Sequence, residues 1–208
     1  METKRTVEEL PLAYVNEYKV TPEDLVKIHR EINKTSKMNI LILLGSPHSN
    51  GNTAALVDAF KKGALEKGHD VNVVNVAHKH IGACMACSYC RTKGNGECTQ
   101  QDDMQEIYPL VRNAQIIIFA SPIYYFTMSG QIQSAISRFY SMQKPPKLQQ
   151  IGMLLSSYSP NVYDAAKAQL RDMARYFGAK NAGLVTADNT ENKTDSKLLE
   201  AYEFGKSF

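Results

Sequence analysis

The sequence predicts an α/β protein: a doubly wound, five-stranded parallel sheet of order 2-1-3-4-5 sandwiched between two layers of helices. Short runs of branched apolar residues alternate with longer stretches whose apolar positions recur three to four apart, the pattern of strands joined by crossover helices. The first run, Ile40 to Leu44, stops at Gly45, gives way to a small polar loop, and is followed by a helical pattern at Leu56, Phe60 and Ala64. The 208 residues contain no internal repeat, and an apolar content of 43% with 22% charged residues is enough for one full core. The expectation is one domain, residues 38–208, preceded by an extension, residues 1–37.

Within the extension, Thr21-Pro22-Glu23-Asp24 is a capping box with proline at the first helical position, and it predicts a helix from Pro22 to Asn33. Its narrow stripe of Leu25, Ile28 and Ile32 would pack on the main domain or on a second subunit. After the first strand and its helix, Val71 to Val76 reads as strand two, followed by a cysteine loop and a helix from Asp102 to Asn113. Strand three is Gln115 to Ala120. The loop Ser121-Pro-Ile-Tyr-Tyr-Phe126 then leads into a helix with Ile132, Ile136 and Phe139 on one face. Pro145 and Pro146 break the chain, and Leu148 to Leu155 makes strand four, ending in Ser156-Ser-Tyr-Ser159. A helix carrying Val162, Ala166, Leu170, Met173 and Phe177 follows, then strand five near Asn181 to Ala187 and a helix from Asp195. In such sheets the ligand sits outside the carboxyl ends of the strands where chain order reverses, so the loops after strands one, three and four should meet.

Charge and hydropathy exclude some partners. The net charge of +3 is small and its Lys and Arg are scattered, which argues against nucleic acid. No stretch approaches the roughly 18 consecutive apolar residues of a membrane span, and Met1 to Glu9 lacks a signal-peptide core. A cytoplasmic protein is expected. All four cysteines, Cys84, Cys87, Cys90 and Cys98, fall in one short stretch, and in a reducing compartment such a cluster points to metal or redox chemistry.

The loop Gly45-Ser-Pro-His-Ser-Asn-Gly-Asn-Thr53 has the make-up of a phosphate cradle. Free amide groups at a helix start converge on an anion, and Ser46, Ser49, Asn52 and Thr53 add neutral donors. It lacks both the Gly-Lys-Ser/Thr of a Walker loop and the Gly-x-Gly-x-x-Gly of a dinucleotide fingerprint, so one terminal phosphate held without a metal suits it better. The plain alternative is an ordinary strand-to-helix turn. The cysteines form a C-x2-C-x2-C-x7-C pattern. Three closely and evenly spaced thiolates can wrap three irons of a cubane, with the Gly94-Asn95-Gly96 turn bringing Cys98 to the fourth. A zinc site shared with His78 or His80, or plain thiols, are the alternatives.

These motifs together resemble a known family. The cradle, the later Ala120-Ser-Pro-Ile-Tyr-Tyr-Phe-Thr-Met-Ser-Gly-Gln131 and the Asp102-Asp-Met104 helix opening resemble the NADPH-dependent FMN reductases, and the cysteine loop resembles that of the iron-sulfur flavoproteins. The likeness covers residues 38–208 and implies a flavodoxin-like fold and FMN as cofactor. On that resemblance Ser46, His48, Ser49, Asn50, Asn52 and Thr53 would hold the FMN phosphate, with Gly51 allowing the tight turn. Family members commonly carry a basic residue where this chain has His48. Pro122, Ile123, Tyr124, Tyr125 and Phe126 would face the flavin ring, and Ser156 and Tyr158 its edge. The aromatic residues would otherwise simply plug the end of the sheet.

The resemblance implies an FMN-dependent NAD(P)H oxidoreductase or electron-transfer flavoprotein with a 4Fe-4S cluster on the four cysteines. NAD(P)H or a reduced carrier protein would supply electrons to a small-molecule or protein acceptor, the flavin rather than a side chain carrying the chemistry. A homo-oligomer, by default a dimer, is expected. The alternatives are a cluster-free NAD(P)H:FMN or quinone reductase, and a non-catalytic metal- or thiol-dependent sensor on the same scaffold.

Overall fold

A computed structural model of the chain describes residues 21–24, 26–27 and 37–208. The chain divides after Lys37 into two units, Met1–Lys37 and Met38–Phe208. In the first, Thr21 and Asp24 make the reciprocal cap read from the sequence. The Thr21 amide and hydroxyl donate to Asp24 Oδ2 at 3.0 and 2.6 Å, and the Asp24 amide donates to Thr21 Oγ1 at 3.1 Å. These bonds from Thr21 hold the Asp24 carboxyl below its ordinary pKa. Leu25, Ile28, Ile32 and the expected continuation of this helix to Asn33 lie outside the described residues.

The second unit contains six strands: β1 (Asn39–Leu44), β2 (Asp70–Asn75), β3 (Ile116–Tyr124), β4 (Thr127–Met128), β5 (Gln150–Ser156) and β6 (Lys180–Ala187). Five are parallel, in the order β2-β1-β3-β5-β6, and two-residue β4 folds back antiparallel on the end of β3. The expected five-strand order is therefore present, with a hairpin added. Six α-helices, α1 (Asn52–Glu66), one-turn α2 (Tyr89–Thr92), α3 (Met104–Asn113), α4 (Gly130–Arg138), α5 (Asp164–Phe177) and α6 (Asp195–Lys206), and two short 3-10 helices, Val76–His78 and Phe139–Met142, complete the unit.

The central strands are covered on both faces, which is why they read as unbroken apolar runs. Ile40, Ile42, Leu44, Ile116, Ile118 and Ala120 pack with α1 and α6 residues on one face. Leu41, Leu43, Ile117, Phe119, Met153 and Leu155 pack with α3, α4 and α5 residues on the other. Strand alternation thus assigns each side chain to one of two cores.

Strand two is shifted by one residue to Asp70–Asn75 and strand four runs Gln150–Ser156 rather than Leu148–Leu155, and two further boundaries differ for local reasons. Strand β3 runs four residues past Ala120, because Ser121 and Pro122 stay in register with Leu155 and Ser156 of β5. Pro122 lies beyond the last β1 partner of β3, Ala120, so its missing amide breaks no bond to β1. The six-residue loop expected there shrinks to a two-residue turn at Tyr125 and Phe126. Helix α3 begins at Met104 rather than Asp102, since the Asp102 carboxylate accepts from the Met104 amide at 3.1 Å and stays outside the helix.

Helices α1 and α6 meet through glycine. A methyl group at Gly63 would lie 2.1 Å from the Tyr202 carbonyl oxygen, and one at Gly205 would lie 2.1 Å from that of Phe60. Replacing either glycine by alanine should destabilise the protein by about 1–3 kcal/mol through overpacking. That outweighs the roughly 1 kcal/mol alanine gains over glycine in a helix. A lower urea midpoint at unchanged m-value is the expected result.

Candidate functional site

The chain order reverses between β1 and β3, whose carboxyl ends stand side by side. The Gly45 amide donates to the Ala120 carbonyl at 2.8 Å. A Cβ on Gly45 would lie 2.3 Å from Ile132 Cγ1 and 2.5 Å from Ser129 Oγ, so only glycine lets α4 press against the end of β1. The cradle then turns on itself. Ser46 is buried, its Oγ accepting from the His48 amide at 3.4 Å and its carbonyl accepting from Asn75 Nδ2 at 3.0 Å. The Gly51 amide donates to the His48 carbonyl at 3.0 Å, and a Cβ at Gly51 would crowd His48.

Gly51 caps α1 without a side-chain acceptor, leaving the first-turn amides for water or an anion. Thr53 at that helix start is buried, and its hydroxyl lies 2.7 Å from that of Ser156 at the end of β5. This bond joins the first and third expected loops. A cavity of about 310 Å³ opens beside it, within the roughly 300–1,000 Å³ range of small-molecule sites.

Ser46, His48, Gly51, Asn52 and Thr53 line the cavity from the cradle; Pro122, Ile123 and Tyr124 line it from β3, and Ser156 and Tyr158 from beyond β5. Ser49 and Asn50 are exposed and do not line it. Tyr125 and Phe126 border a neighbouring cavity of about 200 Å³ that shares Ile123 and Tyr158. Both residues have positive φ, 46° and 69°, as the central pair of a type I′ hairpin requires.

The β6–α6 loop supplies residues that sequence reading missed. Asn189 and Asn192 line the main cavity together with Ser157. Asn192 Nδ2 donates to the Ser157 carbonyl at 3.0 Å, while its Oδ1 is buried without a partner, an acceptor that a ligand N–H or O–H would satisfy. Lys193 Nζ donates to the Asn50 carbonyl at 2.7 Å and brings a cation to the cradle. The signal was available, because this loop also leaves the carboxyl edge of the sheet and is rich in asparagine.

The cysteine region lies between β2 and α3. The Gly94-Asn95-Gly96 turn forms, with Gly96 at φ 87° and its amide donating to the Cys90 carbonyl at 2.9 Å. All four cysteines are free and border one small cavity of about 20 Å³. Among the described residues, no three His, Cys, Asp or Glu side chains are grouped to hold a metal ion. His78 Nε2 instead lies 2.9 Å from the Pro47 carbonyl, and the His80 amide donates to Asp103. Four free thiols bordering one cavity are by chemistry the donor set that a four-iron cluster takes. The cavity admits about one water, and the stretch around Met85 and Cys87 beside it is exposed.

Behind these thiols sits a buried ion pair. Arg138 Nη1 donates to Asp102 Oδ2 at 2.5 Å, with side-chain exposures of 0% and 10%. Asp102 also accepts from the Gly82 amide at 3.0 Å. Burial opposes the Asp102 charge, but the Arg138 guanidinium and the Gly82 and Met104 amides outweigh it and lower its pKa. Burial likewise opposes the Arg138 charge, and Asp102 and Tyr108 overcome it and raise its pKa.

A doubly wound parallel sheet of this order, with a cavity at its switch point, defines the flavodoxin-like class. NAD(P)H:quinone oxidoreductase from Methanothermobacter marburgensis superposes with a TM-score of 0.63 at 15% identity, over 83% of this chain and 96% of that one. RosB with bound 8-demethyl-8-formylriboflavin-5'-phosphate superposes at 0.67 and 16% identity, over 82% and 76%. Likeness at these identities is one of fold. The chain belongs to the NADPH-dependent FMN reductase family, which matches residues 38–191. An iron-sulfur flavoprotein of Archaeoglobus fulgidus is 36% identical over 111 residues, 53% of this chain and 50% of the relative. One from Methanosarcina thermophila is 32% identical over 101 residues, 49% of this chain and 52% of the relative. The chain thus spans about half the length of the curated relatives it matches.

The depressed Asp102 pKa sets a pH dependence. A carboxylate whose folded pKa lies below its unfolded value of about 3.9 stabilises fully above that value and loses its contribution as pH falls through the folded pKa. Breaking the buried pair costs about 3–5 kcal/mol. The stability margin of the parent over Asp102→Asn should therefore be full near neutrality and shrink only once pH falls below about 4, through the lowered folded pKa, measured by urea unfolding across pH.

Proposed function

We propose that the protein is an FMN-dependent NAD(P)H oxidoreductase that also holds a 4Fe-4S cluster on Cys84, Cys87, Cys90 and Cys98. Residues 38–208 carry the function, with residues 1–37 a helical extension. The observation that carries the reading is the cradle at the start of α1, bridged by Thr53 to Ser156 and opening into a cavity of ligand size. Family membership supports FMN as its occupant. When bound, FMN would supply a hydride acceptor and the cluster a one-electron acceptor.

The chain's own residues do the holding. Amides of the first α1 turn, with Ser46, Asn52 and Thr53, donate to a phosphate, and Lys193 lends charge to the cradle where His48 replaces the family's usual basic residue. Ile123 and the half-exposed Tyr124 present apolar and aromatic surface to a flat ring, and the strained Tyr125–Phe126 tip borders the adjoining cavity. Ser157, fixed by Tyr163 at 2.6 Å, and Asn192 hold the remaining wall. NAD(P)H or a reduced carrier is the electron donor, a small molecule or protein the acceptor, and a dimer the working form. Unpaired thiols suit a reducing compartment such as the cytoplasm, and no described helix is long and apolar enough to cross a membrane.

A second reading, a cluster-free NAD(P)H:FMN or quinone reductase, is favoured by the small volume between the thiols. One experiment tests the FMN site that both readings share, and a second separates them. Asn52→Ala with Thr53→Ala should weaken FMN binding by about 2–4 kcal/mol, seen as flavin lost on purification or in a fluorescence titration; undiminished affinity would remove the cradle from the site. Iron and acid-labile sulfide in anaerobically reconstituted protein should reach about four of each per chain and fall sharply in Cys84→Ser. Bound FMN with no iron selects the second reading.

A further inference from the structure

Arg138 closes α4 with its guanidinium out of water, 1% exposed. Every nitrogen has a partner. Nη1 donates to Asp102 Oδ2 and, at 3.0 Å, to the Gly82 carbonyl; Nε donates to Tyr108 Oη at 3.2 Å, and Nη2 to the Gln100 carbonyl at 3.5 Å. Gly82 and Gln100 flank Cys84 and Cys98 at two residues' remove. The guanidinium therefore spans the two ends of the cysteine loop, whose first ligand is held next door by a 3.0 Å bond from the Cys84 amide to Ser137 Oγ.

The pair is also oriented. Arg138 forms part of the wall of the cavity bordered by all four thiols, whereas Asp102 does not. The cationic member of the pair thus borders the thiols' cavity and interacts electrostatically with Cys98, and the anionic member stands outside that wall. In an interior of low dielectric, a fixed charge this near acts strongly on a group that gains or loses an electron.

Resting on the reading that the four cysteines hold an iron–sulfur cluster, we propose that Arg138 is the positioning residue that sets its electron affinity. Reduction adds one electron and one negative charge to the cluster. The guanidinium stabilises that product and raises the reduction potential, Asp102 offsets part of the effect, and Tyr108 and Gln100 fix the geometry.

The test is a potentiometric titration of the full chain, reconstituted anaerobically with iron and sulfide and reduced stepwise with dithionite, the cluster followed by its visible absorption. Arg138→Gln should lower the equilibrium constant for reduction at least tenfold, about 59 mV for one electron. Asp102→Asn should shift it the opposite way, and Arg138→Lys, which keeps the charge, should stay nearer the parent than Arg138→Gln does. If Arg138→Gln does not fold, the double variant Arg138→Gln with Asp102→Asn leaves no unpaired buried charge and should still fall below the parent. Shifts of the same sign from the two single variants, or a parent-like potential in the double variant, overturn the inference while leaving the cluster in place. A parent chain that binds no iron overturns the cluster reading, and this inference with it.

Discussion

The contact between α4 and the bare Cα of Gly45 governs the geometry of the site. Strand β1 is buried on both faces and its end is held to β3 by the bond from the Gly45 amide to Ala120. With Ile132 and Ser129 already at contact distance from the position of a Cβ, any side chain at residue 45 would push α4 off the sheet. That helix begins directly after the β3–β4 hairpin and ends at Arg138. One close approach therefore fixes the cradle, the aromatic turn and the guanidinium behind the cysteines relative to one another.

Much of this was legible in sequence because the signals were strong where burial is complete. Ile40–Leu44 and the branched run before Ala120 had to be central strands, and the break at Gly45 had to be a loop at their carboxyl ends. Strand two was legible only by its alternation with helices, since its residues are partly exposed at the sheet edge. The length of β3 was not legible, because Ser121 and Pro122 are poor strand formers whose extended conformation is imposed by pairing with β5. The part played by Asn192 and Lys193 was legible only in outline: their loop leaves the carboxyl edge of the sheet, but its return to Ser157 and Asn50 is a closeness that local pattern does not encode.

Arg138 and Asp102 illustrate the same point in energetic terms. In sequence they stand thirty-six positions apart, Asp102 read only as part of a helix opening and Arg138 not singled out at all. Their burial becomes tolerable only because four hydrogen-bonding partners converge on the guanidinium and three donors on the carboxylate. The base of the cysteine loop is consequently shaped by the protein itself, with Gln100 and Gln105 adding bonds to the Ala83 and Cys98 carbonyls.

The two-residue turn at Tyr125 and Phe126 runs against local preference. Asparagine and glycine are the residues that suit positive φ at both central positions, and each bulky side chain held there costs about 1–2 kcal/mol. Tyr125 recovers almost nothing by burial, being 98% exposed. The hairpin is thus a place where stability and surface chemistry pull apart: an Asn-Gly replacement would make the fold more robust and would strip away the aromatic rim. Directed selection for thermal tolerance alone would drift toward that replacement, so the turn is a position to hold fixed in any stabilised version of this protein.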